Sequence, residues 1–154
     1  FSVSTAGWMM SFMLLIGVPA RFIMPLLADR RPDQRLLVVL ISLSFIVGLV
    51  GILIGSTSWT IVWLIFLGLG LGASISLALA FLSLRARSSQ QAAELSGMAQ
   101  SIEYTLAAIG PVLFGYLHDM THSWTVPLIM LLFIGVVMLI AGLGAGRNTY
   151  VSTD

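Results

Sequence analysis

The stretch LLVVLISLSFIVGLVGILIG, residues 36–55, decides the fold class. It contains no charged residue, and a helix of about 20 apolar residues is what crosses the hydrocarbon core of a bilayer. The whole chain repeats this character, because 58% of its 154 residues are hydrophobic and 8% are charged. A soluble domain carries about 25% charged residues. The sequence therefore predicts a membrane protein.

Working outward from residues 36–55, we find four more apolar stretches of spanning length. Their continuous apolarity excludes barrel strands, which alternate at every second residue. The predicted class is an all-α membrane protein with five transmembrane helices in a single domain. The predicted spans are 6–27, 36–55, 60–84, 95–117 and 124–144, with cytoplasmic loops at 28–35 and 85–94 and a tail at 145–154.

The composition also excludes several kinds of site. The chain has no Cys, so it has neither disulfides nor thiolate metal ligands, and its net charge of +1 does not indicate a nucleic-acid partner. His118 and His122 have the i, i+4 spacing that can bind zinc on a helix, but no further ligand lies near them in sequence and a solvated loop is the favoured interpretation. No phosphate-binding loop motif is present, and we expect no metal and no cofactor.

Charge asymmetry predicts the orientation. Six of the seven Arg residues fall in the two predicted cytoplasmic loops and the tail, and the opposite loops contain none. The positive-inside rule then places the first residue of the chain outside and its end in the cytoplasm. The expected location is the plasma membrane, the inner membrane in a bacterium, with lipid as a partner. Because the chain starts on Phe1 outside, we expect another helix before it.

Two segments carry a family resemblance. Residues 25–35, PLLADRRPDQR, resemble the loop motif of the major facilitator superfamily, with Pro25 where that family usually has glycine. Residues 95–119, LSGMAQSIEYTLAAIGPVLFGYLHD, look like the cyanate and nitroimidazole transporter group within it, although Glu103 stands where that group commonly has glycine. The resemblance implies helices eight to twelve of a twelve-helix carrier. The chain would then be most of a six-helix bundle, incomplete at its N-terminus, whose partner is the N-terminal half of the same transporter.

The resemblance implies a gating role for Asp29, Arg30 and Arg35. In the family, the aspartate of this loop faces the N-terminus of a helix in the other half, where a carboxylate is stabilised by the helix dipole. Such contacts would close the cytoplasmic side. The alternative is that the loop only fixes topology, but the positive-inside rule explains Arg and not Asp.

Two charged residues lie at membrane depth in the predicted spans. Arg21 is roughly 9 Å from the cytoplasmic end of its span, and Glu103 lies roughly 10 Å in from the same side. A charge near the bilayer centre costs on the order of 2.5–3.5 kcal/mol on insertion scales, which indicates function by default. Arg21 and Glu103 could pair across a central cavity, Glu103 could carry a proton alone, or both could be structural.

The polar face of the fourth span is a candidate pathway. Gln100, Glu103, Tyr104 and Ala107 recur at i, i+3, i+4 and i+7 and so share one side of a helix. Interhelical hydrogen bonding is the alternative. In the same span Gly110 and Pro111 predict a bend, because proline donates no hydrogen bond to Ala107.

The leading functional hypothesis is a secondary transporter that moves a small solute by alternating access, with proton coupling through Glu103 as one option. The candidate solutes are small anions and nitrogen-containing compounds. A membrane-embedded enzyme is the second hypothesis, and it lacks a convergent catalytic set, so we expect no enzyme. A non-transporting sensor with the same fold is the third.

Overall fold

The computed structural model describes residues 2–148 and shows five α-helices and one short 3-10 helix there, with no strand. The helices are α1 Val3–Asp29, α2 Arg35–Ile54, α3 Thr60–Leu84, α4 Ser89–Thr121 and α5 Thr125–Ala145, and the 3-10 turn Thr57–Trp59 precedes α3. The all-α fold predicted from the sequence is confirmed. Most of the predicted tail, at 149–154, lies outside the described residues.

The helix α4 is longer than the predicted span at both ends. Its N-cap is Ser88, whose hydroxyl accepts a hydrogen bond from the backbone N–H of Gln91 at 3.1 Å. Residues 89–94, which the sequence assigned to a loop, are therefore helical. At the other end, α4 runs to Thr121 and stops at His122, which adopts the left-handed conformation that ends many helices. His118 is thus helical and does not lie in a loop.

Four of the five helices are long and apolar enough to cross a membrane by length and composition: α1, α2, α3 with its preceding turn, and α5. The exception is α4, which has the length but carries too many polar side chains. A polar helix among apolar ones is expected where one side meets protein or water in place of lipid. The apolar helices expose large side chains, as lipid-facing surfaces require; Phe133 on α5 is 69% exposed.

Glycines bring α1 and α3 into backbone contact. A Cβ added at Gly17 would lie 2.6 Å from the carbonyl oxygen of Gly68, and one added at Gly72 would lie 2.7 Å from the Cα of Gly17. Small residues four apart allow helix backbones to approach this closely. Gly17, Gly68 and Gly72 therefore have a packing role between α1 and α3.

The core lies towards the end of the bundle where α1 ends and α2 begins. Its buried members come from α1, α2 and α3, and partly buried residues of α5 complete it. Val38 fills the space beside Gly142, where an added Cβ would meet its side chain at 2.7 Å. The buried cluster comprises Ala20, Ala28, Leu37, Val38, Ile41, Ala73 and Leu77. This packing makes α1, α2, α3 and α5 one unit, against which α4 lies with no buried residue.

Candidate functional site

The polar face of α4 opens onto the larger cavity of the bundle. Gln100, Glu103 and Tyr104 all line it, as their shared helix face predicts. Ala107, the fourth member of that face, is not part of the lining. The cavity has a volume of about 630 Å³. That size falls within the range of small-molecule sites, roughly 300–1,000 Å³.

The opposite walls of this cavity come from α2, α3 and α5, and they are mostly apolar. Ser42 and Ser74 are their hydroxyl-bearing residues, and the Ser74 hydroxyl already donates to the carbonyl of Leu71 at 2.9 Å. Phe81 adds an aromatic ring. An apolar cavity with a few polar groups on one side is the usual form of a site for a small organic molecule. The remaining wall residues are Val38, Ile41, Ile75, Leu77, Ala78, Leu79, Leu82, Ala99, Met138, Ala141, Gly142 and Ala145.

The side chains of Gln100, Glu103 and Tyr104 form no hydrogen bond with other groups of residues 2–148. The side-chain hydrogen bonds in this part of α4 belong to Ser101 and Thr105, whose hydroxyls donate to carbonyls one turn earlier on the same helix. These local bonds satisfy Ser101 and Thr105 without using any group that faces the cavity. The three cavity-facing residues can therefore all offer hydrogen bonds to a solute.

The structure does not bring Arg21 and Glu103 together. Arg21 lies on α1, which packs mainly on α3, whereas α4 packs on α3 and α5. Arg21 is exposed and is not part of the cavity wall. Among residues 2–148, the ion pairs within 4.0 Å are Arg35–Asp33 and His118–Asp119. The pairing hypothesis rested on the similar depths of Arg21 and Glu103 in the membrane. Similar depth does not show that the helices carrying the two residues are neighbours.

The predicted gating loop is short and partly held by its own contacts. Asp29 is the last residue of α1 and Arg30 is its C-cap. Arg35 starts α2 and lies 4.0 Å from Asp33, which also accepts a hydrogen bond from the Arg35 backbone N–H at 2.9 Å. Asp29 is exposed and lines a second cavity, of about 440 Å³, between α1 and α3. Asp29 is therefore the member of this loop whose carboxylate remains available to a partner.

A buried polar cluster that the sequence did not reveal joins three chain segments at this end of the bundle. We call it the Gln34–Arg85 cluster. Gln34 is 2% exposed, and its side-chain nitrogen donates to the carbonyl of Ala28 at 3.0 Å while its side-chain oxygen accepts a hydrogen bond from Arg85. Arg85 also donates to the carbonyls of Ala145, at 3.3 Å, and Gly146, at 3.2 Å. A cation at the C-terminal carbonyls of α5 complements the helix dipole.

Gly110 and Pro111 do not interrupt α4, which is helical on both sides of them. A Cβ added at Gly110 would meet nothing within 4 Å, so no neighbouring helix requires glycine there. A bend at this point stays a prediction.

The histidines form no metal site in the part of the chain that is described. No group of three or more His, Asp or Glu side chains among residues 2–148 is placed to hold an ion. The ring of His118 packs against Trp124, with centroids 4.3 Å apart. Its Nδ1 lies 3.5 Å from the Asp119 carboxylate. These contacts give His118 a packing role at the end of α4.

Comparison with known proteins assigns the family. The sequence profile of the Major Facilitator Superfamily matches residues 1–150, nearly the whole chain. The chain belongs to the Major Facilitator Superfamily. No solved structure matches it.

Curated relatives are named as transporters. "Uncharacterized transporter YycB" of Bacillus subtilis is 48% identical over 149 residues, and the "2-nitroimidazole transporter" of Escherichia coli is 39% identical over 148 residues. Each alignment covers 96% of this chain and 37% of the relative, so the chain spans little more than a third of their length. A provisionally named anionic 4-hydroxy-benzoate permease of Thauera aromatica is 47% identical over 67 residues, which is 44% of this chain and 41% of the relative. The superfamily and the names of these relatives are those of transporters, not of enzymes.

Proposed function

We propose that the full-length protein is a secondary transporter that moves a small solute across the membrane by alternating access. The observation that carries this proposal is the cavity of about 630 Å³ onto which Gln100, Glu103 and Tyr104 face from α4. Membership of the superfamily supports it, and so do the transporter names of the relatives.

The weak packing of α4 supports a place for this helix at the solute pathway. All 33 residues of α4 are at least partly accessible, whereas α2, of 20 residues, has seven buried ones. A helix that is too polar for lipid and is not buried in its own bundle needs another polar or protein surface beside it. In this proposal that surface is the N-terminal half of the transporter together with the solute pathway, and α1 to α5 correspond to helices eight to twelve.

The proposed orientation places the Gln34–Arg85 cluster in the cytoplasm. The cluster draws together the loop after α1, the end of α3 and the end of α5, so these segments share one end of the bundle. Most of the Arg residues lie in these segments, and the positive-inside rule assigns such an end to the cytoplasm. The start of α1 is then outside.

A counterflow assay with the full-length protein tests the transport proposal. Liposomes containing the purified protein are loaded with unlabelled 2-nitroimidazole, a probe chosen from the name of a relative, and uptake of labelled probe is followed with and without an inward proton gradient. We expect uptake above that of protein-free liposomes. We also expect Glu103→Gln to remove any stimulation by the gradient.

Glu94→Gln is the matched control for this assay, because Glu94 lies on the same helix but outside the cavity wall. It should leave uptake unchanged. Absence of counterflow with 2-nitroimidazole and with benzoate, a carboxylate probe of similar size, would contradict transport of either solute class. Unchanged gradient stimulation in Glu103→Gln would remove Glu103 from proton coupling.

A further inference from the structure

Glu103 is the one charged residue among those that line the larger cavity of the described chain. The other lining groups that can bind a polar solute are the amide of Gln100 and the hydroxyls of Tyr104 and Ser74, whereas Ser42 is 1% exposed. The rest of the wall is apolar. The electrostatic character of this wall is therefore set by a single carboxylate.

No cation of the described chain neutralises that carboxylate. Arg21 lies on a different helix and outside the cavity wall, and Glu103 forms no ion pair within 4.0 Å among residues 2–148. Arg147 lies two residues after Ala145 of the wall and Arg85 lies three residues after Leu82, but neither is within 4.0 Å of the Glu103 carboxylate among residues 2–148. The Arg85 guanidinium donates instead to Gln34 and to the carbonyls of Ala145 and Gly146. An uncompensated carboxylate in a largely apolar cavity attracts positive charge and N–H donors, and it repels anions.

The cavity also suits an aromatic ring. Its volume fits a small organic molecule, and the rings of Phe81 and Tyr104 both belong to its wall. Aromatic side chains bind planar rings by stacked or edge-on contacts. Because Tyr104 follows Glu103 directly and both line the cavity, one ligand could contact the ring and the carboxylate together.

We infer that this cavity binds a small aromatic solute bearing a positively charged or N–H-donating nitrogen group, with Glu103 as the group that selects it over a carboxylate of the same shape. The inference rests on the proposed function, since it names the solute class of that same cavity. It chooses between the two kinds of solute in the relatives' names, a nitrogen heterocycle and an anionic benzoate. It favours the nitrogen compound because an anion would meet the unpaired carboxylate.

Benzamidine and benzoate test this inference, because the two molecules have nearly the same shape and opposite charge at neutral pH. Binding of each to the purified full-length protein in detergent is measured by titration calorimetry. The wild-type protein should bind benzamidine at least about tenfold more tightly than benzoate, because the Glu103 carboxylate attracts the amidinium and repels the benzoate carboxylate. Glu103→Gln should bring the two affinities close together, and Glu103→Asp should keep the preference for benzamidine.

Glu94→Gln serves as the control, since it removes the same charge from α4 at a place outside the cavity wall, and it should keep the wild-type preference. Equal or tighter binding of benzoate by the wild type overturns the inference. So does an unchanged preference in Glu103→Gln. Binding of neither probe also overturns it, because another segment of the full-length protein would then fill the cavity.

The two proposals fail in different ways. Selective binding of benzamidine without counterflow of any probe would contradict transport and leave the ligand class intact. Counterflow combined with a preference for benzoate would support transport and contradict the selectivity assigned to Glu103.

Discussion

Among single residues, Arg85 makes several contacts that the sequence did not indicate. No acidic side chain among residues 2–148 lies within 4.0 Å of Arg85. Its guanidinium donates instead to Gln34 and to two backbone carbonyls, and it lies 6.0 Å from the centre of the Phe81 ring. Hydrogen bonds from a charged donor are stronger than neutral ones. Removing Arg85 would leave the buried side-chain oxygen of Gln34 and the carbonyl of Ala145 without this donor, whereas the carbonyl of Gly146 keeps the backbone N–H of Gln34 at 3.1 Å.

We therefore expect Arg85→Ala to lower the free energy of unfolding by about 1–3 kcal/mol, the cost of leaving buried polar groups unpaired. Arg87→Ala is the matched control, because Arg87 is exposed and its side chain takes no part in the Gln34–Arg85 cluster. The measurement is thermal unfolding of the full-length protein in detergent. Equal unfolding midpoints for the two variants would show that the cluster does not stabilise the fold.

The polar face of α4 was predictable from the sequence and the Gln34–Arg85 cluster was not, for a physical reason. Gln100, Glu103 and Tyr104 lie within five residues, so helical geometry alone places them on one side. Gln34 and Arg85 are 51 residues apart and lie at the ends of different helices. Their contact depends on how the helices pack, which no local spacing encodes. For the same reason, the sequence positions of Arg21 and Glu103 could not show whether the two residues are neighbours.

Among the helices, α1 and α3 approach each other closely because small residues lie at their contact. Gly17 packs against Gly68 and Gly72. Backbone atoms of one helix occupy the space that a Cβ atom on the other helix would need. The hydrophobic effect contributes little to helix association in lipid. Dispersion forces between closely packed atoms therefore stabilise such a helix pair. The five helices could be predicted from their long apolar stretches. The ends of α4 could not, because they are set by the caps at Ser88 and His122 and not by apolar composition.

Gly72→Ala should destabilise this contact, because the added Cβ would lie 2.7 Å from the Cα of Gly17 and the helices would have to separate. Overpacking of this kind costs about 1–3 kcal/mol. Gly97→Ala on α4 is the control, since a Cβ there meets nothing within 4 Å. We expect a lower unfolding midpoint for Gly72→Ala only. A Gly72→Ala protein as stable as the Gly97→Ala protein would mean that α1 and α3 are not held this closely.

For the whole molecule, the position of Asp29 favours a role outside its own bundle. It is the final residue of α1, and a negative charge at the C-terminal end of a helix opposes the helix dipole, by about 0.3–1 kcal/mol when exposed. Its carboxylate forms no ion pair within 4.0 Å among residues 2–148. The N-terminus of a helix carries positive partial charge. If such an N-terminus in the other half of the transporter lay beside Asp29, its interaction with the carboxylate would be favourable. We therefore propose that Asp29 stabilises the conformation that is closed on the cytoplasmic side.

Asp29→Asn should accordingly increase access to the pathway from the cytoplasm. A single cysteine at Ser74, in the wall of the larger cavity, is labelled with a membrane-impermeant maleimide in inside-out vesicles. We expect faster labelling in the Asp29→Asn protein, by about fivefold for each 1 kcal/mol taken from the closed state. Asp33→Asn is the control, because Asp33 bonds within its own loop to Arg35. If both variants label at the wild-type rate, Asp29 does not close the cytoplasmic side, and its charge serves the loop alone.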